Sequence, residues 1–283
     1  MAASCWGMIG VFSSMAFAQG ITPMEVAFWR AVLAWICFAI CTGINKDIKA
    51  DIKDLPLLLI FGIFGISIFY ISYQFAVKSG GAAFASVLLY TAPAWVILCS
   101  FFIYKEKLTL TRIFTVIMVI LGVFLISNSS INSKESLNFI NSKALPSVGI
   151  TAILSGLCAG LCYSLYYTMG KYFSKKYSST NLFFYVLPVG AMGIFPFVNF
   201  RDKSIAAWIA LILVSLVSTF FANFFYYHGL KFLEPGKASI VASLEPVIAA
   251  ITAYFFLGEY FSIIGYIGAL LILGAVLITI YKK

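Results

Sequence analysis

Glu245 is a lone carboxylate inside the apolar run from Ser239 to Gly258. A charge held among apolar side chains is expensive unless it is protonated, paired or hydrated. The residue types therefore point either to a proton or cation site or to an acid satisfied by a neighbouring helix. Glu245 lies nine residues past Gly236, and at about 1.5 Å per residue this is deep within a helical run. Arg30, seven residues past Pro23, lies about 10 Å into its own run and is the candidate partner. Two polar sets share the spacing of one helical face: Tyr70, Tyr73 and Gln74, and Asn223, Tyr226 and Tyr227. Trp6, Tyr163 and Tyr166 extend the same aromatic chemistry, as do Tyr90 and Ser243, each three residues before a proline (Pro93, Pro246). Such a surface suits a neutral, amphipathic or cationic small molecule. Tyrosine near a helix end is also the ordinary content of a membrane-interface belt.

These residues are positioned by a duplication. The segment 73–106 aligns without a gap on 226–259. It places Tyr73 on Tyr226, Lys78 on Lys231, Ala85-Ser86 on Ala238-Ser239, Pro93 on Pro246, Phe102 on Phe255 and Glu106 on Glu259. Each copy reads as an apolar helix broken by one proline and ending in a glutamate. A proline removes an N–H, so the carbonyls of Leu89 and Ala242 lose their helical partners and must face protein or a wet cavity. Paired interrupted helices in an internally repeated apolar chain point to the binding site of a transporter. The small residues Ala85, Ser86, Ala238, Ser239 and Ala242 read as packing faces. Glu106 and Glu259 read as helix-end anchors.

The chain is 62% hydrophobic and 10% charged, against about 25% charged in soluble domains. Its mean hydropathy is +1.01. The apolar runs are continuous and helix-length rather than alternating at period two, so the fold expected is an all-α integral membrane protein. Ten spans are read at 2–18, 24–43, 55–77, 82–103, 110–126, 147–170, 180–199, 205–229, 236–257 and 262–281. The polar stretch 129–146 separates a first five-helix repeat (1–128) from a second (147–283). With the N-terminus inside, thirteen of the nineteen lysines and arginines fall in inner connections, so the positive-inside rule puts both termini in the cytoplasm. Five spans per repeat is odd, so the repeats are inverted. The first span is not a cleavable signal. It is about a turn or two shorter than its counterpart, which predicts either a naturally short helix or an N-terminal turn missing from this sequence. The six cysteines lie in apolar helices and read as reduced packing residues, with no metal site. The net charge of +9 sits at helix ends, an orientation signal and not a nucleic-acid one.

On these motifs the chain resembles the EamA family of the drug/metabolite transporter superfamily. The resemblance rests on Ala85-Ser86, Pro93 and Lys105-Glu106-Lys107-Leu108-Thr109 in one copy. In the other it rests on Gly236-Lys237-Ala238-Ser239, Glu245-Pro246 and Gly258-Glu259, with Phe28-Trp29-Arg30 early in the second span. It covers essentially the whole chain. The second copy departs at Tyr260-Phe261-Ser262, where the family pattern has Leu-Thr. The resemblance implies ten helices in two repeats, both termini inside, and solute transport across the inner membrane, often efflux of metabolites or amino acids.

The expectation is a plasma-membrane, multi-pass secondary transporter, an exporter of small metabolites, working as a monomer by alternating access and using no cofactor. Its partners are a small-molecule solute, membrane lipid and, through Glu245, a proton. A flippase of a lipid or lipid-linked carrier is the alternative: a wide lateral opening would favour it, a closed central cavity the small solute. A membrane enzyme is poorly supported, because the chain has no HExxH, no GxSxG and one histidine, His228, which reads as an interface residue. The absence of a P-loop argues against ATP drive within this chain.

Overall fold

The computed structural model describes residues 1–48, 50–80, 82–105, 108–127, 150–257 and 262–281. The described residues are helical, with no strand among them. The chain first runs through α1 (Ala2–Gly7, then Ile9–Ala18), α2 (Pro23–Ile44) and α3 (Leu55–Ile60, Phe61–Ile68, Phe69–Gly80). It continues through α4 (Ala82–Leu89, then Ala92–Tyr104), α5 (Leu110–Ser127) and α6 (Ile150–Ser174). The last helices are α7 (Ser179–Ile194), α8 (Ile205–Ser215, Leu216–Phe221, Ala222–Leu230), α9 (Pro235–Ala242, then Glu245–Leu257) and α10 (Ile263–Tyr281).

Eight of these are long and apolar enough to cross a membrane. The other two, α1 and α5, are the shorter apolar stretches Ala2–Ala18 and Leu110–Ile126. The expected set of ten crossings is thus met in length by eight. The expected linker 129–146, Glu106 and Glu259 lie outside the described residues.

Local chemistry sets the helix starts. Thr22, Ser178 and Ser204 each accept a hydrogen bond from the backbone N–H three residues on, at 3.3, 3.1 and 3.1 Å, which satisfies one of the orphan donors of a helix start. Proline opens α2 and α9, where its missing N–H costs nothing. Lys105 closes α4 in the left-handed conformation, φ 55°.

The chain's two halves interleave. α1 packs on α8 and on the second piece of α9, α2 on α7, α3 on α6, α4 on α6 and α9, and α5 on α10. Backbones meet where glycine allows it: a Cβ on Gly122 would stand 2.7 Å from the Gly268 carbonyl, and one on Gly268 2.5 Å from that of Gly122. The largest core cluster is aromatic and contains Trp6, Phe38, Phe61, Tyr163, Tyr166, Phe183 and Tyr227.

Polar contacts fasten the connections. Lys176 bonds Asp54 (2.9 Å), and Ser178 and Asn181 bond Asp47. The Tyr172 hydroxyl and the Asp54 carboxylate hold the Lys176 ammonium above the usual lysine range. Elsewhere Glu25, with no exposed surface, takes the Lys203 ammonium at 2.6 Å. That ammonium lies 5.3 Å from the ring centre of Trp29 and 5.7 Å from those of Phe200 and Trp208, a cation held in an aromatic box.

Candidate functional site

The proline-broken helices are interrupted at equivalent places. Continuous helix is lost at Tyr90-Thr91 in α4 and at Ser243-Leu244 in α9, the same alignment that pairs Tyr73 with Tyr226. Pro93 and Pro246 are each the second residue of the resumed helix. The Leu89 carbonyl, left without its partner by Pro93, faces α6: a Cβ on Gly160 would come within 3.3 Å of it. The Thr91 hydroxyl donates to the Leu88 carbonyl at 2.6 Å.

The preceding helices match as well. α3 and α8 each contain a π-helical stretch, Phe61–Ile68 and Leu216–Phe221. Wide turns of this kind recur at functional sites. The polar residues Tyr70 and Asn223 each lie two residues past them. In each wide turn a hydroxyl bonds the carbonyl five residues back, Ser67 to Gly62 (3.4 Å) and Thr219 to Val214 (3.3 Å). Each hydroxyl also reaches the other half: Ser67 donates to the Gly190 carbonyl (3.0 Å), and Thr219 accepts from Arg30 Nε (3.0 Å).

These features surround a cavity of about 180 Å³ lined by residues of α1, α2, α3, α4, α6, α8 and α9. Trp6, Arg30, Tyr70, Tyr73, Tyr90, Tyr163, Tyr166, Asn223 and Glu245 lie on its wall, with Ile9, Phe69, Ser86 and Leu89. The Arg30 guanidinium lies 5.0 Å from the Tyr70 ring centre. Tyr163 donates its hydroxyl to Glu245 Oε2 at 3.3 Å. The Tyr73 and Ser86 hydroxyls share a 3.3 Å hydrogen bond. Asn223 is 2% exposed, and its Oδ1 finds no partner among the described residues. An unmet buried acceptor of this kind costs about 1–3 kcal/mol, so a donor brought by a solute would be favoured. One cation, one carboxylate, several hydroxyls and aromatic faces thus address the same small space.

The structure brings nine of the expected site residues onto one wall and places six elsewhere. Tyr227 is a packing residue: it is 1% exposed, donates to the Tyr166 carbonyl at 2.9 Å, and lies against Gly170, which has no room for a Cβ. Tyr226 meets Trp6 at 5.1 Å, the rings tilted at 45°, and lines a second cavity. Ser243 is buried with its hydroxyl spent on the Ser239 carbonyl (3.0 Å). Pro93 is buried, Pro246 and Gln74 are half-buried, and none of the three lies on the wall.

Arg30 and Glu245, the expected pair, share the wall without a salt bridge between them among the described residues. The Arg30 Nε is given to Thr219, and its guanidinium carbon lies over the Tyr70 ring. Ser86, read from sequence as packing, lies on the wall. Thr219 was not singled out; its signal is its place four residues before Asn223 on the same helical face. His228 is exposed, stacked on Phe224.

The family model for the EamA-like transporter family matches residues 1–128 and 150–281. An uncharacterized transporter of Archaeoglobus fulgidus is 24% identical, over 98% of this chain and 95% of its own. The uncharacterized transporter YdfC of Bacillus subtilis is 24% identical, over 97% and 89%. The uncharacterized inner membrane transporter YicL of Salmonella typhimurium is 24% identical, over 98% and 92%. A solved crystal structure superposes with a TM-score of 0.81 at 14% identity, covering 98% of this chain and 93% of that one; it shares the fold.

Proposed function

The chain belongs to the EamA-like transporter family, and on that premise we propose that it exports small metabolites such as amino acids across the cytoplasmic membrane, through the cavity between its halves. The observation that carries this reading is the presence of Arg30 and Glu245 on one wall with no salt bridge between them among the described residues. A compact solute bearing both an anionic and a cationic group would satisfy each, and the rings of Trp6, Tyr70 and Tyr163 would cover its apolar part. The volume, about 180 Å³, is below the roughly 300–1,000 Å³ of sites for drug-sized ligands. That favours a small solute over the lipid-carrier reading.

In this reading all ten helices cross the membrane, α1 and α5 included. At about 1.5 Å per residue a helix of some 17 residues reaches about 25 Å, the lower limit for a span. Both termini are cytoplasmic, and residues 1–128 and 147–283 form two inverted repeats that rock about the cavity. One chain supplies both walls, so a monomer suffices. Glu245 carries the coupling proton.

The test is a panel of amino acids and related metabolites offered to the protein in liposomes, with and without a pH gradient. Saturable flux of at least one zwitterionic solute is expected, with loss of flux in Tyr73→Ala at unchanged monodispersity. Flux of lipid-linked carriers alone would replace this reading with the flippase one.

A further inference from the structure

A second cavity, of about 200 Å³, lies between the first residues of α1, the end of α8 and both pieces of α9. Among the described residues it shares one lining residue with the central cavity, Trp6. The indole is 6% exposed and stands between the two spaces. Its ring lies 5.1 Å from that of Tyr226 at 45°, and Tyr226 meets Tyr167 edge-on at 5.5 Å. Trp6 is therefore the partition, backed by the Tyr226 ring on the side of the second cavity.

Trp6 sits on a short helical piece of its own. Ala2–Gly7 is separated from Ile9–Ala18 by an interruption at Met8. The piece is seated on α9 just past its proline break. A Cβ on Gly7 would be 2.7 Å from Ile248 Cβ and 2.9 Å from the Ala249 nitrogen, and Thr252 donates its hydroxyl to the Gly7 carbonyl at 3.2 Å. The helix piece that begins with Glu245 is thus the one on which Trp6 is mounted.

We infer that the second cavity is a vestibule on the solute's path and that Trp6 is the gate between it and the central cavity. A shift of the Glu245–Leu257 piece against Pro235–Ala242 carries Gly7 with it, and so turns the indole. The inference rests on the transport reading in calling the vestibule part of a path. The gate itself is measurable without a solute.

The experiment uses the full chain with its six cysteines replaced and one cysteine placed on the central wall, Ser86→Cys. The probe is a membrane-impermeant, cationic methanethiosulfonate reagent, applied in turn to each face of sealed vesicles. The face carrying residue 1 is identified by a tag joined to it. Trp6→Ala is expected to raise the modification rate at least tenfold from that face and to leave the rate from the other face unchanged. Trp6→Phe, which keeps a ring in the partition, is expected to raise it less than threefold. If Trp6→Ala is not monodisperse, Tyr226→Ala replaces it, with a smaller rise expected from the same face. An unchanged rate, or an equal rise from both faces, overturns the gate. Absence of solute flux with the one-sided rise present would instead count against the transport reading alone.

Discussion

α4 and α9 have the same backbone plan and different chemistry. Both break for two residues before a resumed helix whose second residue is proline, and both are packed through a glycine of the opposite half, Gly160 of α6 for α4 and Gly7 of α1 for α9. At the break α4 carries Tyr90, Thr91 and Ala92 where α9 carries Ser243, Leu244 and Glu245. In α4 the threonine takes the Leu88 carbonyl, and tyrosine reaches the cavity. In α9 the serine is consumed within its helix, leucine offers no hydrogen bond, and the carboxylate reaches the cavity. The duplication thus supplies two equivalent scaffolds, and only one was given a charge. Symmetry of the backbone makes the gap in the helix, and asymmetry of the side chains decides which gap carries a carboxylate.

The strongest way to break this comparison is to remove the charge. Glu245→Gln keeps the shape and hydrogen-bonding capacity but cannot titrate. If α9 is the coupling helix, the acceleration of flux by a pH gradient should vanish, a change of tenfold or more, while exchange at equal pH survives. Wild-type pH dependence in this variant would remove Glu245 from the mechanism. Next in size is the reverse change. Ala92 is 1% exposed in the aromatic core, so Ala92→Glu buries a carboxylate without a partner and should cost about 3 kcal/mol. Thermal unfolding in detergent would read it. A folded, unperturbed Ala92→Glu would mean that the two breaks are chemically interchangeable.

The glycine contacts sharpen the comparison at a smaller scale. A methyl at Gly160 would meet the Leu88 carbonyl at 2.7 Å and the Thr91 hydroxyl at 2.8 Å; at Gly7 it would meet Ile248 and the Ala249 nitrogen. Each Gly→Ala change should destabilise by about 1–3 kcal/mol, with Gly7→Ala also disturbing flux because its neighbour is Trp6. The smallest expected effect is Thr91→Val, which removes one hydrogen bond at the α4 break and should cost about 1 kcal/mol. Thermal unfolding would check it, and a loss of flux without a loss of stability would show that the α4 break also works in transport.

Sequence carries the breaks because proline has one backbone consequence, and the alignment of Pro93 with Pro246 therefore placed both interruptions. It carries the wall in part. Helical spacing put Tyr70 with Tyr73, but the same reasoning put Tyr227 beside Tyr226. A tyrosine's periodicity says which face it takes, not whether a glycine such as Gly170 leaves room to bury its ring. The π-helical stretches were not legible: Phe61–Ile68 and Leu216–Phe221 are ordinary apolar sequence, and their extra width comes from packing and from hydroxyls bonding five residues back. For that reason Thr219 is not legible as the acceptor for Arg30 Nε. The aromatic box around Lys203 was missed as well, because lysine in a short connection reads as a solvated charge.

The wide turns in α3 and α8 have a further consequence, for deletions. A regular helix turns by about 100° per residue. Deleting one residue from the middle of α6 would therefore rotate everything beyond the cut away from its neighbours. A π turn already holds surplus chain. Deleting one residue between Phe61 and Ile68 would tighten the turn and leave both flanks facing as before, with Tyr70 and Tyr73 still on the cavity wall. A one-residue deletion in either wide turn is therefore expected to re-aim the site less than one in the regular helix of α6.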